Sequence, residues 1–337
     1  MCGIVGILSN SEVTPKILKV LKKLEYRGYD SAGIATIFKN DIKRQRAKGK
    51  INNLINQINK NDLPGKIGIG HTRWATHGIP SEDNAHPHHK GSVVGVHNGI
   101  IENFRKLKEE LLEKGYDFQS ETDTEVVIQL CSYFIDQGHN NVDAFLKTIS
   151  RLEGAFALCF MFQNDDKRLF VTKRGAPLVI GYGNSDIYVG SDAVSLSNLI
   201  KKVIFLDEDD WGIISKKETM IFDKTGQKVH RKQKIVELNN DVISKGNYQH
   251  FMLKEIYEQP EVFGYATASF INYKKQKIEM LSDLMDSNHI KRVILIGCGT
   301  AFYACAVAKY WIERYVKVPV EIDVASEFRY RETPFGK

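Results

Sequence analysis

A chain of 337 residues with 42% hydrophobic side chains and a formal charge of +6 is long enough for two folded domains. Its five cysteines (Cys2, Cys131, Cys159, Cys298, Cys305) form no Cys-x-x-Cys pair, and no long apolar run follows a basic start. Neither a secreted disulfide framework nor a membrane span is therefore expected, and a reducing cytoplasm is the default. The positive charge is scattered among acids, as in Lys106-Leu107-Lys108-Glu109-Glu110, which reads as solvated helix surface rather than a nucleic-acid stripe.

A short apolar strand is predicted over Gly3–Leu8, followed by a helix that starts at Thr14-Pro15 with Thr14 as cap and proline in the first turn. Ile17, Leu18, Leu21 and Leu24 give that helix one apolar face. Further strands are predicted at 33–38, 66–70, 92–97, 155–162, 169–173 and 178–182, and helices at 102–114 and 124–137. Met220–Phe222 and Lys228–Arg231, joined through Lys224-Thr225-Gly226, read as a hairpin. Sheets covered by helices on their outer faces fit this order, which gives a layered α/β domain.

Apolar periodicity lapses over 234–246, where Asn239-Asn240-Asp241 and Lys245-Gly246-Asn247 carry loop signals. The expected organisation is a first domain over 1–238, a linker and helical lead-in over 239–284, and a second domain over 285–337. In the second, a buried-type strand at 291–297 runs into Cys298-Gly299-Thr300, then a helix over 301–315 and a strand over 319–324, which is the start of a βαβ unit.

Removal of Met1 would expose Cys2 beside its own α-amine. Ordinary values of about 8.5 for the thiol and about 7.7–8.0 for the amine let a proton pass between them, so the pair is a nucleophile with a built-in base. The bland alternative is a strand that happens to begin with cysteine. His71-Thr72-Arg73-Trp74-Ala75-Thr76-His77-Gly78 follows a predicted strand, where Arg73 could grip a carboxylate through two parallel hydrogen bonds or simply join a surface ion pair. His77, His86, His88 and His89 lack cysteine or carboxylate companions at a recognised spacing, so no metal is expected. Asn98-Gly99 reads either as a hairpin turn or as two donors, an amide and a backbone N–H, aimed at one developing negative charge. Asp123, in Ser120-Glu121-Thr122-Asp123-Thr124-Glu125, reads as a helix cap or as a partner for an ammonium. Together these are the parts needed to hold a free amino acid while its side-chain amide is attacked.

The segments Met1–Gly6, Leu24–Gly33, His71–Gly78, Asn84–His88, His97–Gly99 and Glu121–Glu125 together resemble the glutaminase domain of the glutamine:fructose-6-phosphate aminotransferases, the glucosamine-6-phosphate synthase family. The likeness continues through Phe222–Gly226, Lys254–Pro260, Cys298–Thr300 and Ala325–Arg331. It implies a four-layer αββα N-terminal-nucleophile hydrolase domain, followed by an incomplete doubly wound parallel α/β domain of the sugar isomerase type. By motif position it makes Cys2 the nucleophile and Asn98 with Gly99 the oxyanion donors. Arg73, Thr76 and His77 would bind the carboxylate of L-glutamine, and Asp123 its ammonium. Trp74 would gate the ammonia passage, with Arg27 and Tyr29 on a supporting loop, and Cys298, Gly299 and Thr300 would meet a sugar phosphate. It further implies amino-sugar biosynthesis from fructose 6-phosphate, no metal or organic cofactor, and a homodimer.

Two departures stand out against that family. Ala301 replaces the serine usual after Cys-Gly-Thr, and the chain stops at Phe335-Gly336-Lys337, before the phosphate loop, acid/base residues and Schiff-base lysine of the isomerase. The rival readings are another class II amidotransferase, such as an asparagine synthetase or a phosphoribosyl amidotransferase, and an inactive or regulatory fragment. A dinucleotide loop at Gly297-Cys298-Gly299 lacks its third glycine and its ribose-binding acid.

Overall fold

The computed structural model describes residues 2–26, 28–75, 77–235, 248–268, 271–272, 277–278, 290–328 and 330–331. Arg27, Thr76 and the loop signals over 236–247 lie outside the described residues, as do Met1 and the last six residues. The chain divides into two units, Met1–Ser244 and Lys245–Lys337.

In the first unit β1 (Gly3–Leu8) leads into α1 (Thr14–Leu24), and β2 (Ser31–Phe38) turns back into β3 (Asp41–Lys48). Lys39 and Asn40 both take positive φ in that two-residue turn, as a right-twisted hairpin requires. Next come α2 (Ile51–Ile58), β4 (Ile67–Arg73), β5 (His88–Lys90) and β6 (Val93–Ile101). Helices α3 (Phe104–Glu113), α4 (Asp123–Asp136) and α5 (Asn141–Ile149) follow together. The rest is mainly strand: β7 (Gly154–Phe162), β8 (Asp165–Arg174), β9 (Val179–Tyr182), β10 (Ile187–Gly190), the one-turn α6 (Ala193–Leu196), β11 (Lys202–Phe205), β12 (Trp211–Ser215), β13 (Thr219–Phe222), β14 (Lys228–Val229) and β15 (Gln233–Ile235).

These strands form two antiparallel sheets, ordered β15-β11-β9-β10-β1-β4-β2-β3 and β14-β13-β12-β8-β7-β6-β5. Period-two alternation decides which layer each side chain enters. Ile4 and Leu8 of β1 meet Ala157, Cys159 and Met161 of β7 in the space between the sheets. Val5 and Ile7 point the other way and pack with Ile17, Val20 and Leu21 of α1. Phe156, Leu158, Phe160 and Phe162 of β7 cluster with Val127 of α4 and Phe145 of α5 on the far side. Three apolar layers separated by two sheets make the four-layer αββα arrangement. Strands buried on both faces carry unbroken apolar runs, which is why β1 and β7 were readable as strands.

Two local expectations are corrected. The cap of α1 is Val13, so Thr14 is the first helical residue and Pro15 the second; the Thr14 hydroxyl donates instead to the Leu63 carbonyl. Val20 is fully buried on the inner face of that helix, with Leu18 only packed at its margin.

The second unit contains α7 (Phe251–Ala268), a short antiparallel pair β16 (Ile271–Asn272) and β17 (Lys277–Ile278), then β18 (Val293–Gly297), α8 (Thr300–Tyr315), β19 (Val320–Val324) and α9 (Ala325–Phe328). β18 and β19 are parallel, with α8 as the crossover, which is the βαβ unit expected from sequence.

Candidate active site

The register of the first sheet assembles the site. β1 pairs with β4 through Gly3 opposite Thr72, which sets Cys2 beside Arg73 and Trp74. The Trp74 N–H donates to Cys2 Sγ at 3.3 Å, and the thiol lies 3.4 Å from the Trp74 carbonyl. Burial pushes the thiol above its ordinary value, opposed by the Trp74 backbone contact and the nearby amino terminus. From the second sheet, Asn98 Nδ2 donates to the Cys2 carbonyl at 3.1 Å, while its Oδ1 lies 2.9 Å from His71 Nε2.

Asn98-Gly99 does not form a hairpin. β6 runs on to Ile101, with Asn98 opposite Ala157 and Gly99 opposite Phe156. Gly99 has φ +117°, and a Cβ there would stand 2.0 Å from the Ala155 carbonyl oxygen, so only glycine fits. Hydrogen-bond alternation along β6 is informative. The Glu102 N–H bonds across to Glu153, whereas the Ile101 N–H turns away from β7 and donates to Asp123 Oδ2 at 2.9 Å. Gly99 stands two residues before Ile101 on the same strand, opposite Phe156. β5 covers the other edge of β6 only from Val93 to Gly95.

Asp123 is not a helix cap either. Thr122 caps α4 by accepting from the Glu125 N–H, which frees Asp123, the first helical residue, to face the end of β6. His97 Nδ1 is 3.9 Å from Asp123 Oδ1, but burial lowers the His97 acid value, so the imidazole is neutral and bonds Thr124 Oγ1 at 2.9 Å.

Arg73 is buried and wraps its own loop. Its guanidinium donates to the carbonyls of His77, Gly78 (3.1 Å) and Ile79 (3.5 Å). These contacts, rather than a surface ion pair, occupy it. Trp74 and Tyr29 are both exposed and meet edge to face at 5.2 Å. Cys2, Arg73, Trp74, His77, Gly99 and Asp123 all line one cleft of about 250 Å³, space open to solvent included.

Several supporting residues carried no role in the sequence reading. Asp30 accepts from the Ala75 N–H, and Glu121 accepts from the Ile79 N–H at 3.2 Å and from Asn84 Nδ2 at 3.1 Å. They pin both ends of the 75–79 loop. Their signal was position inside the quoted motifs. Cys298, Gly299 and Thr300 belong to the second unit: Cys298 is exposed, Gly299 (φ +55°) caps α8, and Thr300 and Ala301 begin the helix.

His71, His86 and His88 are buried, His86 lining the cleft, with His71 stacked on His86 at 4.2 Å and His86 against His88 at 5.0 Å. Burial holds His71 down to about 3 and His86 and His88 well below their ordinary value. Among the described residues no three His, Cys, Asp or Glu side chains gather into a group able to hold a metal. Because these folded-state values are depressed, the unfolded chain takes up protons below about pH 6.5 that the folded chain refuses. Stability should therefore fall as pH drops from about 6.5, by up to about 1.4 kcal/mol per pH unit for each imidazole. Urea midpoints at pH 7 and pH 5 test this; an unchanged midpoint would mean the histidines titrate normally.

Residues 71–198 match the glutamine amidotransferase domain family. Over 100% of its length the chain is 47% identical to a glutamine–fructose-6-phosphate aminotransferase (isomerising) of Mesorhizobium japonicum and 46% identical to that of Bradyrhizobium diazoefficiens. It covers 55% and 56% of those proteins, so it spans about half the length of the curated relatives it matches. In fold it resembles the glutamine phosphoribosylpyrophosphate amidotransferase of B. subtilis in complex with ADP and GMP. That likeness has a TM-score of 0.58 at 21% identity and covers 95% of this chain and 65% of the other. Among the described residues no helix is long and apolar enough to cross a membrane. Over residues 71–198 the first unit thus matches a glutamine amidotransferase domain, its fold is that of the N-terminal-nucleophile amidotransferases, and over its whole length the chain is similar to the glutamine–fructose-6-phosphate aminotransferases, of which it spans about half.

Proposed function

We propose that the first unit hydrolyses L-glutamine to L-glutamate and ammonia through a Cys2 thioester. The observation that carries this is the convergence of Cys2, Arg73, Gly99 and Asp123 on one cleft, with Asn98 bonded to the Cys2 backbone. Once Met1 is removed, the α-amine of Cys2 takes the thiol proton as sulfur attacks the side-chain amide carbon. The carbonyl oxygen becomes an oxyanion, met by an Asn98 N–H and the Gly99 N–H. Collapse breaks the C–N bond, the amine returns its proton to the leaving nitrogen, and ammonia departs. Water then adds to the thioester, and glutamate leaves as the thiol reforms. Asp123 would hold the substrate ammonium, and Arg73, with Thr76 and His77, its carboxylate.

We extend the proposal to the reaction named for the relatives: the ammonia passes Trp74, supported by Arg27 and Tyr29, to fructose 6-phosphate. The second unit would then belong to a sugar isomerase domain, with Cys298, Gly299 and Thr300 near the phosphate, in a cytoplasmic homodimer. Support for this extension is the whole-length identity and the parallel βαβ unit.

Incubation with amide-¹⁵N glutamine is the direct test. Glutamate and labelled ammonia should appear in equal amounts, from protein whose intact mass lacks Met1; no glutamate would leave the inactive-fragment reading. Arg73→Lys keeps the charge but not the planar fork, so it should raise the glutamine KM by about tenfold while leaving kcat within a few fold. Identical kinetics would confine Arg73 to bracing its loop.

A further inference from the structure

The two sheets are joined between their apolar inner faces by hydrocarbon contacts, yet at the cleft end a polar bridge crosses from one to the other. His71 stands on β4 of the first sheet, opposite Ile4 of β1 and Gly33 of β2, so its backbone is paired on both sides. Its ring is fully buried and stacked on His86. Asn98 stands on β6 of the second sheet and touches both His71 and Cys2.

We propose that His71 is a positioning residue for glutamine hydrolysis, its Nε2–H holding Asn98 Oδ1 so that the Asn98 amide keeps its NH₂ group toward Cys2 and the reacting oxygen. The inference rests on the glutaminase reading above and deepens it. The orientation follows from donor and acceptor inventory. The Cys2 carbonyl can only accept, so the Asn98 atom 3.1 Å from it must be nitrogen. Oδ1 then faces His71 and can only accept, so Nε2, 2.9 Å away, must carry a hydrogen. A neutral imidazole has one N–H, so with Nε2–H given to Asn98 the other ring nitrogen, Nδ1, carries only a lone pair. One Asn98 N–H is used on Cys2, and the other remains for the oxyanion. Without a donor at position 71 nothing holds Oδ1 back, and an amide turned over would set oxygen against the Cys2 carbonyl and lose its donor. An apolar side chain would fill this buried place without the cost of desolvating an imidazole, so the bond to Asn98 is what the histidine contributes.

Two measurements decide it. Long-range ¹⁵N–¹H NMR of the whole chain should find His71 as the Nε2–H tautomer at pH 7; the Nδ1–H tautomer overturns the proposal whether or not glutamine is hydrolysed. In kinetics, His71→Phe should lower kcat about 10- to 50-fold with KM within about threefold. His71→Gln, whose amide can donate from nearly the Nε2 place, should recover most of the loss. If the Phe variant does not fold, His71→Asn, too short to reach, should show the same loss. Combined with Asn98→Ala, the His71 substitution should cause no further fall. Additive losses, an effect on KM alone, or no rescue by Gln would make His71 merely structural. Wild-type protein that does not turn over glutamine would sink the function proposed for the site, while the tautomer still reports on the bridge.

Discussion

Cys2→Ala should remove glutamine hydrolysis, by on the order of 10⁴-fold or more in kcat, because Cys2 is the only thiol among the described residues that line the cleft. Among the described residues the thiol hydrogen-bonds with the Trp74 backbone, and alanine leaves β1 and its pairing with β4 undisturbed. Glutamine should still bind, with Kd by calorimetry within about threefold of wild type, since carboxylate and ammonium partners are untouched. No other thiol of the first unit can substitute. Cys131 and Cys159 are sealed in the core, burial pushing Cys131 up to about 12 and Cys159 higher. Residual turnover within tenfold of wild type would move the chemistry away from Cys2.

The second large effect is expected at Asn98. Asn98→Ala should lower kcat by about 10²–10³-fold while leaving KM nearly unchanged, the pattern of a donor needed only when the carbonyl oxygen becomes negative. It also strands the buried His71 Nε2–H, at a stability cost of about 1–3 kcal/mol. Stopped assays at saturating glutamine together with urea titration separate the two. An unaltered kcat with lowered stability would make Asn98 a strut between the sheets and not an oxyanion donor.

How much of this was legible in the sequence depended on whether a local pattern had a local cause. β1 and β7 are buried on both faces and carry runs such as Gly3-Ile4-Val5-Gly6-Ile7-Leu8, which need no partner to be recognised. α2 carries Ile51, Leu54 and Ile58 at helical spacing, but the asparagines between them blur the pattern. β3, Asp41-Ile42-Lys43-Arg44-Gln45-Arg46-Ala47-Lys48, has no strand-like composition and exists because β2 pairs with all eight of its residues. At the site, Cys2 could be singled out by its position after Met1, and Arg73 and Asp123 by residue type. The competing turn and cap readings of Asn98-Gly99 and Asp123 could not be settled locally, since they depend on β7 continuing beside β6 and on Thr122 taking the cap. The pairing of His71 with Asn98 crosses from one sheet to the other, and no spacing along the chain encodes it.

β3 also bears on how the first sheet resists edge-to-edge joining. It is the last strand of the eight-stranded sheet, and its outer rim offers N–H and C=O groups that a strand from another copy could join. Its one neighbour in the sheet, β2, is strongly apolar, so such joining would extend an already buried sheet. Arg44 and Arg46 follow Ile42 along the face turned toward the second sheet, where they donate to the carbonyls of Pro87, Asp83 and Ala85. Lys43 stands exposed on the other face. An incoming strand would have to desolvate this row of cations, so the charge that hides β3 from a strand reading also guards the sheet against intermolecular polymerisation.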